Sequence, residues 1–242
     1  ATLRAVQRKV LAGQEVIWHD GVETLPDAPL FLVANEFFDA LPIRQFERRG
    51  AGWAERQVGL AEGRLVPGLA PPEPLIPLLP RLADTREGDI VETCPAAPAI
   101  IAAIAARIAR HGGAALIADY GHWRSLGDTF QALQDHAPCD PFAAPGSADL
   151  TAHVAFEPLA QAARAAGAGV SAMTAQGVVL ERLGITTRAQ VLARGMAGAA
   201  LENHIAAHRR LTHPEEMGQL FQMLAIHPGQ APVPPGFDAA KA

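Results

Sequence analysis

Lysine and serine are both scarce in this sequence. Lys9 and Lys241 are the two lysines among 20 basic residues, so 18 are arginines. A P-loop needs a lysine directly after its glycines and a pyridoxal enzyme needs an internal lysine, and neither position is filled here. The three serines, Ser125, Ser147 and Ser171, lie outside any G-x-S-x-G motif. The sequence therefore excludes P-loop nucleotide hydrolases, pyridoxal enzymes and nucleophile-elbow hydrolases.

Cysteine is equally rare, and long apolar runs are missing. Two cysteines, Cys94 and Cys139, cannot form a disulfide framework or a cysteine-rich zinc site, which indicates a reducing compartment. No run approaches the roughly 18 apolar residues that cross a bilayer, and the first residues contain no signal-peptide core. We therefore expect a protein without a membrane span, in a reducing compartment.

The composition is that of a folded protein. The chain has 242 residues, of which 49% are hydrophobic and 19% charged, which is enough apolar material for a core. Its formal net charge of -5 argues against a broad basic surface for nucleic acid, so we expect no nucleic-acid partner. A homo-oligomer stays open.

Hydrophobic spacing predicts alternating strands and helices. Continuous apolar runs at 30–34 and 114–118 are typical of buried parallel strands, and a helix from Pro95 to Ile108 lies between them. This alternation predicts an α/β fold with a mostly parallel sheet and helices on both faces. Residues 43–93 read as an antiparallel insertion followed by a proline-rich arm. The other predicted elements are a helix at 2–12, short strands at 16–18, 43–46, 53–58, 64–66 and 89–93, an arm at 67–80, a loop at 127–146, a strand or extended segment at 150–156, a helix at 159–166, a mostly helical segment at 176–221 and a last strand at 223–226.

Polar side chains follow the first buried strand directly. Asn35, Glu36 and Asp39 place an amide and two carboxylates in one turn, beside apolar neighbours that could exclude water. Carboxylates there could orient a cationic amine or guanidine and accept its proton. The alternative is that Asn35 only caps a turn while the acids face solvent.

The second buried strand ends in a similar way, with Asp119, Tyr120, Gly121 and His122. Parallel strands end at one edge of a sheet, so we expect these residues close to Asn35, where α/β sheets bind ligands. The competing interpretation is that Asp119 and Gly121 simply form the turn from strand to loop.

Histidines and carboxylates in the loop that follows could hold a divalent metal. A metal-dependent hydrolase is therefore an alternative enzyme, and it requires these residues to converge. The competing interpretation is that they hydrogen-bond the loop to itself. The residues concerned are Asp128, His136, Asp140, Asp149 and His153.

The block from Asn35 to Phe46, with Asp119-Tyr120-Gly121, resembles the MidA family of S-adenosylmethionine-dependent methyltransferases. These are relatives of the mitochondrial arginine methyltransferase that assists assembly of respiratory complex I. Further blocks at 127–129, 140–141, 145–154 and 217–221 stand in the family's order, so the resemblance covers nearly the whole chain. It implies a Rossmann-like class I methyltransferase fold with an inserted antiparallel piece, S-adenosylmethionine as cofactor and a protein arginine as substrate. It also implies a location in the cytoplasm of a bacterium or in the mitochondrial matrix of a eukaryote.

The resemblance also implies roles for individual residues. Glu36 and Asp39 would be catalytic, with Glu36 taking the proton from the guanidine. Asn35 and Glu36, with Asp119, Tyr120 and Gly121, would bind the cofactor, and no metal is implied.

In this family a glycine-rich donor-binding turn precedes the segment that corresponds to 1–11. We therefore expect residues 1–242 to form one methyltransferase domain that lacks its N-terminal part. A non-catalytic assembly module with a degenerate methyltransferase fold is the alternative.

Overall fold

The protein folds around a mixed β-sheet flanked by helices, and the computed structural model describes residues 2–240. Its helices are α1 Thr2–Val10, α2 Ala97–His111, α3 Phe156–Ala165, α4 Gln176–Arg182, α5 Ile185–Ala193, α6 Gly198–Thr212 and α7 Met217–Leu220. Its strands are β1 Leu30–Asn35, β2 Arg44–Arg49, β3 Gly52–Ala61, β4 Arg64–Leu69, β5 Ile90–Thr93, β6 Gly113–His122, β7 Gln131–Gln134, β8 Ala137–Cys139, β9 Asp149–Thr151, β10 Val154–Ala155, β11 Ala168–Val170, β12 Thr174–Ala175 and β13 Phe221–Pro228.

The main sheet has the order β1-β6-β13-β11, with β10 beside β6 and β12 beside β13. The two apolar runs pair in parallel, from Leu30 opposite Gly113 to Asn35 opposite Ala118. Strand β13 runs against β6 and also against β11 and β12, so it alone opposes the common direction within the described sheet. The predicted α/β fold with a mostly parallel sheet is confirmed.

Helices α2 and α3 cover one face of this sheet and form the main core. Ile101 and Ile108 of α2 are fully buried against Ile117 of β6 and Leu224 of β13. Each side chain of this size contributes roughly 1.5–3 kcal/mol when it is buried. This packing fixes β1 and β6 side by side, and hence the relative positions of the residues at their carboxyl ends.

Strand β1 lies at an edge of the main sheet, and its side chains that point away from the main core are uncovered. Phe31 is 82% exposed and Val33 is 74% exposed, although both lie in a strand of the main sheet. Within residues 2–240 no strand pairs with this edge, since β1 has β6 as its partner. An apolar strand edge of this kind is available for further pairing.

A second, antiparallel sheet with the order β4-β3-β2-β5 contains the predicted inserted strands. Its own small core consists of Phe46, Trp53, Leu78 and Val91. Leu78 comes from a 3-10 helix at Ile76–Ala83, so the arm is not wholly irregular as predicted. The division of 1–242 into a domain and an insertion at 43–93 stays a prediction.

Three other local predictions were wrong. Strand β4 continues through Pro67, which an edge strand tolerates because a proline there breaks no internal ladder. Residues 16–18 form no strand. The loop at 127–146 contains the hairpin of β7 and β8, which pairs with β9. Among the described helices, none combines the length and the apolar character needed to span a membrane.

Candidate active site

A strained turn follows β1. Glu36 has a φ of +49°, a left-handed conformation that non-glycine residues rarely adopt. Its N–H donates to the carbonyl of Ala118 at 3.0 Å, which continues the β1–β6 pairing one residue further. The Asn35 side-chain amide donates to the Glu36 carboxylate at 3.2 Å, and both side chains are exposed. Backbone strain of this kind persists only where the surrounding structure holds it, and such positions cluster at functional sites.

The carboxylate of Asp119 holds this turn in place. Its Oδ2 atom accepts the backbone N–H groups of Phe37, Phe38 and Asp39 at 3.3, 3.0 and 3.4 Å. The side chain is fully buried, and Oδ1 has no hydrogen-bond partner in the described part of the chain. Burial, together with the charge of Asp39, raises the pKa of Asp119 to about 7, although the three N–H groups act in the opposite direction.

Asp39 and Tyr120 form a second contact beneath the turn. The Tyr120 hydroxyl donates to Asp39 Oδ2, and burial together with this bond raises the pKa of Tyr120, so the phenol stays protonated. Asp39 is 4% exposed, and its Oδ1 also lacks a partner in the described residues. A Cβ atom at Gly121 would lie 2.1 Å from the carbonyl oxygen of Val154. A glycine at that position therefore lets the 154 segment approach this end of β6.

His153 lies against the same tyrosine. The centre of its ring lies 5.4 Å from that of the Tyr120 ring, with an angle of 73° between the two planes. The Phe221 ring also packs on Tyr120, with 5.5 Å between the ring centres. Burial and the neighbouring His122 lower the pKa of His153, so the imidazole is neutral at pH 7. From the sequence, His153 was predicted only as part of a possible metal cluster, and Phe221 belonged to the block at 217–221 without a role at the site. The block at 145–154 was the available signal for His153.

A buried carboxylate joins the antiparallel sheet to this region. Glu92 is 4% exposed and accepts hydrogen bonds from the Gln45 side chain at 2.7 Å and from the backbone of Thr129 at 2.9 Å. The Thr129 hydroxyl donates to Glu92 as well, and it accepts the backbone N–H of His153 at 2.9 Å. Glu92 was not predicted as a functional residue, because its partners are far away in the chain.

The proposed metal cluster does not form in residues 2–240, where no group of three or more His, Cys, Asp or Glu side chains is placed to hold a metal ion. Asp128 instead pairs with Arg56 and Gln45, and these bonds outweigh burial and lower the pKa of Asp128. Two histidines of α6 form hydrogen bonds with α5. The Nε2 atom of His204 lies 3.0 Å from the carbonyl oxygen of Ala189, and the Nε2 atom of His208 lies 2.9 Å from the hydroxyl of Thr186.

The structure brings all the predicted site residues to one edge of the main sheet. Asn35 and Glu36 are exposed at the rim, where they can contact a bound molecule. Asp39 and Asp119 lie beneath them, and Asp119 contacts the backbone of the turn. An exposed amide and carboxylate at the carboxyl end of a parallel strand suit a polar cofactor with amine and hydroxyl groups. The catalytic and cofactor-binding roles stay predictions.

The parallel strands, the helices packed on them and the polar turn at the strand ends define a Rossmann-like α/β domain of the ligand-binding kind. A model of the family described as "Putative S-adenosyl-L-methionine-dependent methyltransferase" matches residues 1–174. The chain belongs to this methyltransferase family, which confirms the resemblance inferred from the motifs.

Named relatives agree with this assignment. The chain is 34% identical over 224 residues to the mitochondrial protein arginine methyltransferase NDUFAF7 of Xenopus tropicalis, covering 89% of this chain and 51% of that protein. It is 34% identical over 227 residues to the human protein of that name, covering 90% and 50%. The chain therefore spans about half the length of the curated relatives it matches.

A solved structure shows the same fold. A chain from Burkholderia thailandensis, crystallised with S-adenosyl-homocysteine, superimposes with a TM-score of 0.80 at 31% identity. The match covers 96% of this chain and 63% of that chain. The Rossmann-like methyltransferase fold, the class predicted from the sequence, is confirmed.

Proposed function

We propose that this chain is part of an S-adenosylmethionine-dependent methyltransferase that modifies an arginine of a protein. The observation that carries the proposal is the strained turn from Asn35 to Asp39, held by Asp119 at the carboxyl edge of the sheet. The family and the arginine methyltransferase relatives support it. By the same resemblance, the proposal extends to a role in assembly of respiratory complex I.

The residues of the turn suit this chemistry. S-adenosylmethionine supplies an already activated methyl group on a sulfonium, so the protein needs to align the acceptor and manage one proton. The exposed Glu36 carboxylate would hold the guanidinium and accept its proton, and Asn35 beside it would contact the cofactor. Asp39 would support the turn from below through its bond to Tyr120.

The open edge of β1 bears on where the rest of the cofactor site lies. Phe31 and Val33 are largely exposed on a strand whose carboxyl end carries Asn35. We place the missing donor-binding groups on a further strand that pairs with this edge and belongs to sequence preceding residue 1. Such a strand, parallel to β1, would pair with its free backbone groups and bring its own carboxyl end beside Asn35.

Calorimetry tests the proposal. S-adenosylmethionine and S-adenosyl-homocysteine are titrated into this chain and into a version extended at the N-terminus. We expect the extended protein to bind both ligands. Binding by neither form refutes the catalytic proposal and favours a non-catalytic assembly module.

A matched pair of variants then tests the role of Glu36. In the form that binds cofactor, Glu36→Gln should abolish methylation of an arginine-containing acceptor while the Kd for cofactor stays within about twofold. Glu202→Gln removes the same charge from the exposed face of α6 and should leave both quantities unchanged. Unchanged turnover in Glu36→Gln would rule this residue out as the base.

A further inference from the structure

A cavity of about 400 Å³ lies behind the candidate site, between the antiparallel sheet and the first turns of α2 and α3. This volume falls within the range of roughly 300–1,000 Å³ that is typical of ligand pockets. Phe38 belongs to the strained turn and also forms part of the wall of the cavity. The cavity and the turn therefore share a side chain. The other apolar walls include Leu78, Val91, Val154 and Leu159.

Most of the wall of the cavity is apolar. Five prolines line it, from the arm and from the starts of both helices, and a proline ring offers no N–H donor. Because a proline ring has little conformational freedom to lose, these residues add little entropy cost when an apolar group binds. The prolines are Pro77, Pro80, Pro95, Pro98 and Pro158.

The charged groups around the cavity are already paired. Arg124 contacts Glu157 at 2.8 Å, and Arg81 contacts Asp84 at 3.0 Å. The buried Glu92 carboxylate accepts hydrogen bonds from Gln45 and Thr129, as described above. A charged ligand would have to displace one of these partners, so the cavity favours an uncharged, apolar group.

A histidine of the cavity wall also contacts the candidate site. His153 lines the cavity, and its Nδ1 atom is buried without a hydrogen-bond partner in the described residues. The same ring packs on Tyr120, which bonds to Asp39 beneath the turn. The His153 ring therefore connects the wall of the cavity to the residues beneath the turn.

We propose that the cavity binds an apolar side chain of the acceptor polypeptide, at a fixed distance from the arginine that is methylated. This inference rests on the proposed function. Methyl transfer needs an oriented guanidine, and contacts with other residues of the acceptor supply that orientation. Since Phe38 joins the cavity to the turn that carries Glu36, a side chain held in the cavity would fix the position of its neighbours at the turn.

Peptide binding to the full 242-residue chain tests this proposal without any methylation. Two fluorescein-labelled pentapeptides with blocked ends carry a central arginine between glycines. One has phenylalanine at both ends and the other has aspartate. We expect the phenylalanine peptide to bind at least about tenfold more tightly by fluorescence anisotropy, because burial of one aromatic side chain contributes that much.

Filling the cavity should remove this preference. Ala155 lines the cavity and has φ -87° and ψ 113°, angles open to any residue, so Ala155→Trp places a large ring there. We expect this variant to bind the phenylalanine peptide as weakly as the aspartate peptide. Val191→Trp, on the exposed surface of α5, is the matched control and should bind like the wild type. Thermal melting of both variants checks that they fold.

Alkylation of a cysteine in the cavity wall fills the cavity without a large amino-acid substitution. Cys94 is a half-buried free thiol in the cavity wall, and Cys139→Ser leaves it as the one thiol of the chain. Alkylation of Cys94 with iodoacetamide should abolish the preference for the phenylalanine peptide. Equal binding of the two peptides by the wild type, or a preference that survives both treatments, overturns the proposal.

The peptide-binding experiment and the test of the proposed function can fail independently. A peptide preference that the cavity variants abolish, in a protein that binds no S-adenosylmethionine in any form, would refute the methyltransferase role and retain an apolar peptide site. Methylation by the extended protein with no such preference would retain the methyltransferase role and refute the pocket.

Discussion

Replacing Asp119 by asparagine should change how the stability of this protein depends on pH. Burial and the charge of Asp39 raise the pKa of Asp119 from its ordinary 3.8 to about 7. Between these values the folded protein keeps a proton that the unfolded chain has released. The contribution of Asp119 to the free energy of unfolding is therefore complete below about pH 4 and is lost as the pH rises through about 7.

The size of the effect follows from the same pKa values. A rise from 3.8 to about 7 corresponds to roughly 4 kcal/mol, at about 1.36 kcal/mol for each pKa unit. Asparagine does not titrate, and its amide oxygen can still accept the N–H groups of Phe37, Phe38 and Asp39. The wild type should thus lose roughly 4 kcal/mol relative to Asp119→Asn between about pH 4 and about pH 8.

Urea unfolding followed by tryptophan fluorescence measures this difference. Unfolding curves are recorded from about pH 4 to about pH 8.5 for the wild type, for Asp119→Asn and for Asp149→Asn. The last variant removes the same charge from an exposed position at the start of β9 and should follow the wild type. Parallel pH profiles for the wild type and Asp119→Asn would refute the reasoning.

Three further substitutions test the pairing of β1 with β6 and the turn that follows β1. Gly113→Ala would place a Cβ atom 2.0 Å from the carbonyl oxygen of Leu30 at a φ of +103°, so urea unfolding should show a loss of at least about 2 kcal/mol. Glu36→Gly should be more stable than Glu36→Ala by about 1 kcal/mol in the same assay, because glycine adopts a φ of +49° without strain. Tyr120→Phe should cost roughly 1–3 kcal/mol by thermal melting, because it leaves both carboxylate oxygens of buried Asp39 without a partner among residues 2–240.

Much of the fold could be predicted because long elements carry a strong local pattern. The run at 30–34 became β1, and the helix predicted from Pro95 to Ile108 is α2 at Ala97–His111. Short elements depend on their partners instead. The apolar residues 16–18 find no strand to pair with, whereas Gln131–Gln134 pairs with both β8 and β9 and forms a strand that the turn-rich sequence concealed.

The position of the candidate site could be predicted from the sequence, but the hydrogen bonds within it could not. Strand ends place Asn35 and Asp119 at one edge of a sheet, and that follows from the pattern alone. The contacts of Asp119 with a turn 80 residues earlier depend on the pairing of β6 with β1, and those of Glu92 with Thr129, 37 residues later, depend on how the antiparallel sheet meets the loop after β6. A single sequence carries no signal for such pairings.

The hydrogen bonds of Asp119 have a consequence for the order of folding. The acceptor for the turn after β1 lies in β6, so the turn cannot take its strained form until β6 has crossed to its place beside β1. Contacts so distant in the chain form slowly, because the intervening loop must close first. A partly folded molecule therefore has no arranged cluster of carboxylates to offer a ligand, and ligand binding reports completion of the sheet.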